Sequence, residues 1–213
     1  QRLISLHNQD LMVLQEMEYN GLLFDEDEST ALAIENETHI KELDALIFDF
    51  HMLDSFNPNS TEHLSALLYG GYIKVRRREA IGHYKSGARA GEVKERWVED
   101  LIELPRLVKP LKGSELAKEG YFSTDEQTLK SLKGSKKALE LIELLLTRAT
   151  VEKRVSTYYR GLVALREDMK WKKGTLHGQL NQCVARTGRL SSSKPNLQNF
   201  DGEIKTLFRS TYV

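Results

Sequence analysis

The sequence predicts an α+β fold that is mainly helical, and three observations support this. Apolar residues recur at amphipathic-helix spacing through most of the 213 residues. Residues 72–102 instead combine β-branched and aromatic residues around a glycine-rich centre, which predicts a basic β-hairpin. Extended stretches at 22–24 and 176–184 predict short strands. A hydrophobic content of 40% with only 4 prolines favours a folded chain.

The first two helices follow from periodicity and end signals. One runs from Leu3 to Met17 and ends at Asn20-Gly21, where a left-handed residue is expected. The second spans 26–53, with acidic residues in its first turn, as a helix N-terminus favours. A cation loop at 25–28 is the less favoured interpretation, because the alternating oxygen ligands and central glycine are missing. The predicted buried stripe of the second helix is Ala31, Ile34, Ile40, Leu43, Ile47 and Phe50.

Further along the chain, Ser60 caps a short helix, 61–69, which ends at Gly70-Gly71. Residues 123–126 form a predicted capping box in which Ser123 and Glu126 lie three apart. The strongest helix runs from Lys136 to about Met169. We expect at least one of its two adjacent tyrosines, 158 and 159, to pack in the core, and His177 and Cys183 to have structural roles in the following strand.

Charge is distributed unevenly although the total balances at 31 basic against 31 acidic residues. Residues 1–65 contain 14 Asp and Glu but 2 Lys and Arg, so residues 66–213 carry a net charge of +12. This asymmetry makes nucleic acid the leading class of partner.

Several other classes of protein are excluded. No apolar run reaches the roughly 20 residues of a membrane span, and no secretory signal precedes the first helix. A single cysteine excludes an internal disulfide framework and a cysteine-built zinc site. We therefore expect a cytosol-like compartment. Because the chain opens with Gln1 inside a helical pattern, we also expect a piece of a longer protein.

The hairpin segment leaves two interpretations open. Residues 74–96 contain eight Lys and Arg against three Glu. Either these cations contact phosphates, or the hairpin is a structural insertion whose charge keeps it soluble.

The most informative segment is the polar loop 187–199. Gly188 permits a sharp turn, and Arg189 offers five fixed donors. Asn196, Gln198 and Asn199 add paired donors and acceptors without charge, which favours a polar ligand. The alternative is a surface loop held by Asx and Ser turns.

This loop, TGRLSSSKPNLQN, resembles the palm motif of family A DNA polymerases. Three further landmarks occur in the family order. Residues 16–21 followed by Asp25 are similar to the link into the polymerase domain. Residues 56–60 are similar to the thumb-entry turn, and 176–178 with Gln182 to the strand ahead of the motif.

The resemblance implies a domain plan and a DNA-binding set. Residues 1–24 and 174–213 would belong to the palm, and 25–173 to the thumb, with 72–120 as an inserted hairpin and tip. Arg189 would reach the minor groove at the primer end, where correct base pairs share acceptors. The other implied residues near the primer end are Thr187, Ser191, Ser192, Asn196 and Gln198. The resemblance implies that Lys153 and Arg154 of the thumb contact the DNA backbone. On their basic surroundings alone, Arg148 of the long helix and Arg76, Arg77 and Arg78 of the hairpin are further predicted backbone contacts.

Some positions depart from the family pattern. Phe200-Asp201 stands where the family has an apolar residue followed by proline. We therefore expect the chain after this loop to follow a different path. Lys205 stands where arginine is common, so the charge is kept but the bidentate hydrogen bonding of a guanidinium is lost. The longer, basic segment 72–120 suggests a phage-type member, whose location would be the host cell cytoplasm.

The resemblance also predicts what lies elsewhere. Nucleotidyl transfer needs Mg²⁺ held by carboxylates that follow the matched region in the family. We therefore expect no catalytic or metal-binding residue in this chain, and no polymerase activity without the remaining palm and fingers. Two alternatives stay open: a standalone duplex-binding accessory module, and a non-catalytic protein whose acidic helix 26–53 contacts another subunit.

Overall fold

The computed structural model describes residues 2–182 and 184–209. Its elements, in chain order, are α1 (Arg2–Asn20), β1 (Leu22–Phe24), α2 (Glu26–His51), α3 (Thr61–Tyr69), β2 (Gly71–His83), β3 (Val93–Leu104), α4 (Glu126–Ser131), α5 (Lys136–Lys153), a π-helical segment (Arg154–Tyr159), α6 (Arg160–Asp168), β4 (Thr175–Leu176), β5 (Gln179–Asn181), β6 (Ser191–Ser193), a 3-10 turn (Leu197–Asn199), α7 (Gly202–Lys205) and β7 (Phe208–Arg209). The α+β prediction is confirmed.

The chain divides into two compact units. The first contains residues 1–40 and 150–213, and the second contains 41–149. Both divisions fall inside helices, within α2 and within α5. These limits differ from the sequence-based domain boundaries at 24 and 173, which remain a prediction.

The first unit is built on a three-stranded antiparallel sheet of order β4-β1-β7. Leu22 pairs with Leu176, and Phe24 pairs with Phe208. Gly21, with φ of +66°, ends α1 as predicted, and a Cβ there would lie 2.7 Å from the Leu176 carbonyl oxygen. The strand therefore starts directly after the helix because only glycine fits this turn.

The core of this unit packs aromatic rings beside the sheet. Phe200 stacks on Phe208 with ring centroids 5.1 Å apart and meets Tyr158 edge-on at 5.7 Å. Both Tyr158 and Tyr159 are buried, which confirms their predicted core role.

The second unit packs α3, the base of the hairpin and the start of α5 around a separate core. Leu68, Ile73 and Leu141 are among its most completely buried residues. Ser60 caps α3 and Gly70 ends it, both as predicted. The predicted hairpin is also confirmed: β2 and β3 pair antiparallel from Gly71 opposite Leu104 to His83 opposite Val93.

The long helix predicted from 136 to about 169 is continuous but not uniformly α-helical. One π-helical segment separates α5 from α6, and α6 ends at Asp168. The Ser29 hydroxyl of α2 donates a hydrogen bond to the Tyr159 carbonyl oxygen at 3.1 Å. This bond satisfies a backbone acceptor at the point where the helical ladder changes.

Three element predictions need correction. In α2, Ala31 and Ile34 are exposed, while Ser29 and Ala33 occupy the buried positions of that half. Ser29 can be buried because its hydroxyl donates to a backbone carbonyl oxygen. A search for apolar residues at helical spacing does not detect such a position.

The other two corrections concern a cap and a strand. The α4 cap is Asp125, whose carboxylate accepts from the Thr128 amide at 2.8 Å. Ser123 instead donates to Asp125. The single strand expected over 176–184 is two short strands, β4 and β5, and the role expected for Cys183 falls outside the described residues.

Among the described helices, none combines the length and the apolar character that crossing a bilayer requires.

Candidate nucleic-acid interface

The polar loop 187–199 contains strand β6 of a small β-hairpin in the first unit. Strand β5 pairs antiparallel with β6, so that Gln179 faces Ser193 and Asn181 faces Ser191. Between the strands, Gly188 adopts φ of +73°, and its amide donates to the Ala185 carbonyl at 3.0 Å. This turn places residue 189 at the surface because only glycine adopts such a backbone at low energy.

Arg189 is exposed at this turn. Within 2–182 and 184–209, no side chain or carbonyl forms an ion pair or hydrogen bond with its guanidinium. Together with Leu190 and residues of α1 it borders a cavity of about 400 Å³ within the first unit. The planar guanidinium of Arg189, with its five N–H donors, is therefore accessible to solvent and is not bonded to any described residue.

The neighbouring amides are held in place by hydrogen bonds within the loop. The Asn196 side-chain oxygen accepts from the Gln198 amide at 3.2 Å and from the Ser192 hydroxyl at 3.4 Å. The Ser192 hydroxyl also accepts from the Leu197 amide at 3.0 Å. The Gln198 side chain donates to the Leu190 carbonyl. The Asx and Ser turns that the sequence analysis gave as the alternative interpretation are thus present. They rigidify the segment that carries Arg189.

The six residues predicted near the primer end therefore differ in what they offer a ligand. Thr187 and Arg189 are exposed, and Ser191 is half-buried. Asn196 and Gln198 are exposed but partly committed to the loop. Ser192 is buried, at 8% exposure, and both of its hydrogen bonds are internal. Its role in this structure is to position the loop.

The predicted backbone contacts on the long helix also divide. Lys153 is exposed at the end of α5. Arg154 is partly buried and forms ion pairs with Asp201 at 3.4 Å and Glu203 at 2.5 Å. A phosphate would have to compete with two carboxylates for this guanidinium.

Arg148 requires a correction. Its side chain is 7% exposed, and all three guanidinium nitrogens bond within the second unit. Two of them donate to the Asp44 carboxylate and the third to the Asn59 side chain at 2.7 Å. Because the side chain is buried and three of its five N–H donors are bonded inside the unit, Arg148 is poorly placed to contact DNA, and we infer a structural role.

The three hairpin arginines lie on the surface and are paired across the strands. Arg76 meets Glu99 at 2.8 Å, Arg77 meets Asp100, and Arg78 meets Glu95 at 3.4 Å. More than half of each arginine side chain is exposed. Surface ion pairs of this kind are weak because water screens them, so they order the side chains and leave them accessible to a ligand.

The departure at 200–201 has a local explanation. Phe200 fills the aromatic core, and Asp201 caps α7 by accepting from the Ile204 amide at 2.9 Å. Asp201 also pairs with Arg154, a role that the sequence analysis missed. The signal was available locally, since an aspartate directly before Gly-Glu-Ile is a helix N-cap pattern.

His177 has the structural role that we expected. Its Nδ1 lies 2.9 Å from the Glu18 carbonyl oxygen, and its ring meets Trp171 edge-on at 5.3 Å. The Glu18 carboxylate in turn accepts from the Leu180 amide. Glu18 thus holds β5 against α1, and nothing in the sequence signalled this.

Within the described residues there is no group of three or more His, Cys, Asp or Glu side chains placed to hold a metal ion.

Comparison with known proteins identifies the family. A sequence profile of DNA polymerase family A matches residues 99–213. The chain is 29% identical to the thermostable DNA polymerase I of Thermus thermophilus over 187 residues, which are 88% of this chain and 17% of that protein. It is 28% identical to DNA polymerase I of Bacillus subtilis over 188 residues, 88% of this chain and 16% of that protein.

A shorter match to DNA polymerase I of Synechocystis is 43% identical over 88 residues, covering 41% of this chain and 8% of that protein. The fold is similar to the polymerase domain of Pol1 from M. smegmatis, solved in complex with a DNA primer-template and dNTP. The TM-score is 0.56 at 23% identity, over 94% of this chain and 28% of that one.

The chain belongs to the family A DNA polymerases. It spans less than a fifth of the length of the curated relatives described above.

Proposed function

We propose that this chain is the part of a template-directed DNA polymerase that grips the primer-template: the thumb and the N-terminal portion of the palm. Family membership and the fold support this assignment. We retain residues 1–24 and 174–213 as palm and 25–173 as thumb. The reaction served is nucleotidyl transfer to a primer 3′ end during DNA replication.

One observation carries the proposal: Arg189 is exposed on a rigid loop, with no partner among the described side chains. In the minor groove, purine N3 and pyrimidine O2 accept hydrogen bonds in every correct base pair. A guanidinium carried there by the rigid loop senses the shape of the terminal pair without reading its sequence. Thr187, Ser191, Asn196 and Gln198 would contact the same duplex end, while Ser192 would hold the loop.

The proposed contacts with the DNA backbone are Lys153, Arg154 and the hairpin arginines 76–78. Arg148 is omitted because its guanidinium is buried in internal hydrogen bonds. We further propose Mg²⁺ as the metal of the assembled enzyme, held by carboxylates outside the described residues. The other proposed partners are the remaining palm and fingers, and the proposed location is the cytoplasm, that of the host cell for a phage-type enzyme.

Substitution of Arg189 by alanine tests the proposal in the assembled polymerase. We expect primer extension to fall roughly 10- to 100-fold, as the loss of a charged hydrogen bond predicts, with a smaller loss in duplex affinity. A primer ending in 3-deazaguanine lacks the N3 acceptor. It should slow the wild-type enzyme by a similar factor and slow the variant little further.

Arg186→Ala is the matched control, because Arg186 is also exposed, lies directly before this loop, and its substitution removes the same charge. If both variants lose extension and affinity equally, the loop is a generic basic surface. The standalone duplex-binding module would then be the better assignment.

A further inference from the structure

The hairpin of the second unit carries aromatic rings that are each covered on one side by a cation. The Arg78 guanidinium carbon lies 4.9 Å from the centroid of the Trp97 ring. Near the hairpin tip, the Arg89 guanidinium carbon lies 4.6 Å from that of Tyr84. At the hairpin base, Tyr121 is covered by Lys118 and donates its hydroxyl to the Tyr72 carbonyl at 3.0 Å.

Strand register places several of these groups on one face of the ribbon. Arg78 lies opposite Trp97, and Tyr72, six residues before Arg78, lies opposite Glu103. Alternate residues of a strand share a face, so Tyr72, Arg78 and Trp97 lie on the same side. The opposite face carries Ile73 and Val75, which are buried in the core of this unit.

The shared face is open to solvent. Trp97 is 63% exposed and Tyr72 is 53% exposed. They lie roughly 20 Å apart along the strands at about 3.3 Å per residue. With one side of the Trp97 ring held by Arg78, the other side is available to a flat ligand.

The charge around these rings favours an anionic ligand. The hairpin, residues 71–104, contains eight Lys and Arg against six Asp and Glu, and its tip, residues 85–96, contains four Lys and Arg against two Glu. Lys74, Lys85 and Lys94 are exposed and form no ion pair with any side chain that the structure describes. The arginines are in weak surface pairs, which orient their planar groups.

We propose that this face of the hairpin binds single-stranded nucleic acid. A base would stack on the open side of Trp97, Arg78 would support the ring from behind, and Lys74 on the same face and Lys85 in the tip would neutralise phosphates. Aromatic platforms beside cations bind unpaired strands because every base has a π face, whereas a duplex hides those faces in its own stack. The inference rests on the proposed function only in taking DNA as the partner.

The test uses the whole 213-residue chain and a fluorescein-labelled strand of roughly 16 thymidines. Anisotropy gives Kd at about 50 mM and about 200 mM salt. We expect Trp97→Ala to weaken binding about 5- to 100-fold, the range that loss of one base stack predicts, and Trp97→Phe to retain most of the affinity. Tryptophan fluorescence should be quenched on binding in the wild type, and much less in Trp97→Ala.

Leu101→Ala is the matched control, since Leu101 is 65% exposed and lies on the same face of β3 but has no ring. The proposal is overturned if wild type does not bind the strand, or if Trp97→Ala binds as wild type does. Equal losses from Trp97→Ala and Leu101→Ala would also overturn it, because they indicate a general apolar surface suited to a protein partner. If the strand-binding test fails while Arg189→Ala still lowers primer extension as expected, only this inference has failed and the proposed function stands.

Discussion

At the scale of single residues, Arg148 illustrates how burial changes the role of a cation. Its guanidinium holds Asp44 and Asn59 from positions 104 and 89 residues away in the chain. These bonds join α2, the turn before α3, and α5 within the second unit. Its hydrogen bonds are therefore needed for stability rather than for DNA.

We expect Arg148→Ala to destabilise the chain by about 2–4 kcal/mol, because it leaves Asp44 and Asn59 without their partner and removes a buried side chain. Arg148→Lys should recover part of the loss, since a single ammonium cannot make all three bonds. Chemical denaturation monitored by circular dichroism measures both values.

Arg160→Ala is the control for charge alone. Arg160 pairs with Glu37 at 2.9 Å, but both side chains are more than 40% exposed. We expect little or no change in stability, because water screens an exposed ion pair. An equally small effect of Arg148→Ala would contradict the structural role.

At the scale of secondary-structure elements, the π-helical segment depends on the glycine that follows it. A Cβ on Gly161 would lie 2.6 Å from the Ser156 carbonyl oxygen. The wider helical turn brings that oxygen close, so a side chain at 161 forces the segment to rearrange.

Gly161→Ala is therefore expected to destabilise the chain by about 1–3 kcal/mol, although alanine is the better helix former. Gly202→Ala in α7 is the control, because a Cβ there meets nothing within 4 Å. Thermal unfolding of the two variants checks this. A stabilised Gly161→Ala would mean that a regular α-helix is equally accessible to this segment.

A second element-scale feature is a cluster of two histidines and Phe56 around the turn between α2 and α3. His51 Nδ1 accepts from the Leu53 amide and His63 Nδ1 from the Asn57 amide, each at 3.0 Å. The Phe56 ring stacks on His51 at 4.2 Å. Burial lowers the pKa of both histidines below 6.5, and in His63 this outweighs the opposing charge of Glu62.

The sign of the pH effect follows from these shifts. Below about pH 6.5 the unfolded chain binds protons that the folded chain does not, so stability falls as the pH decreases from there. The stability contributed by the two neutral histidines is fully present above that pH.

Asp125 acts in a different pH range. Hydrogen bonds from Ser123 and the Thr128 amide lower the pKa of its carboxyl group, so the stability that it contributes is lost only at a lower pH, below 3.8.

We expect the melting temperature to decrease between about pH 7 and about pH 5.5, and the double variant His51→Gln, His63→Gln to reduce that decrease. Glutamine retains an acceptor without titrating in this range. Circular dichroism at several pH values provides the measurement. An unchanged pH dependence in the double variant would show that other groups cause the loss.

At the scale of the whole molecule, the proposal separates gripping DNA from performing the reaction. We expect purified residues 1–213 to bind primer-template with an affinity that falls as salt rises, because basic side chains displace counterions from phosphates. The same sample with Mg²⁺ and nucleotides should show no primer extension. Extension by this chain alone would overturn the placement of the catalytic carboxylates outside it.

The sequence by itself determined the family, the α+β class and most element positions. These depend on local signals: helical periodicity, Ser60 as a cap, Gly21 and Gly70 as helix ends, and a contiguous polar motif at 187–199. Each operates over a few residues, so no knowledge of distant contacts was needed.

Only the tertiary structure decided which polar groups are free to act. Ser29 and Arg148 look like surface residues in the sequence, yet they are buried against partners far away in the chain, whereas Arg189 remains exposed. The physical reason is that a buried polar group must find a hydrogen-bond partner, and such partners come from segments that only folding brings together.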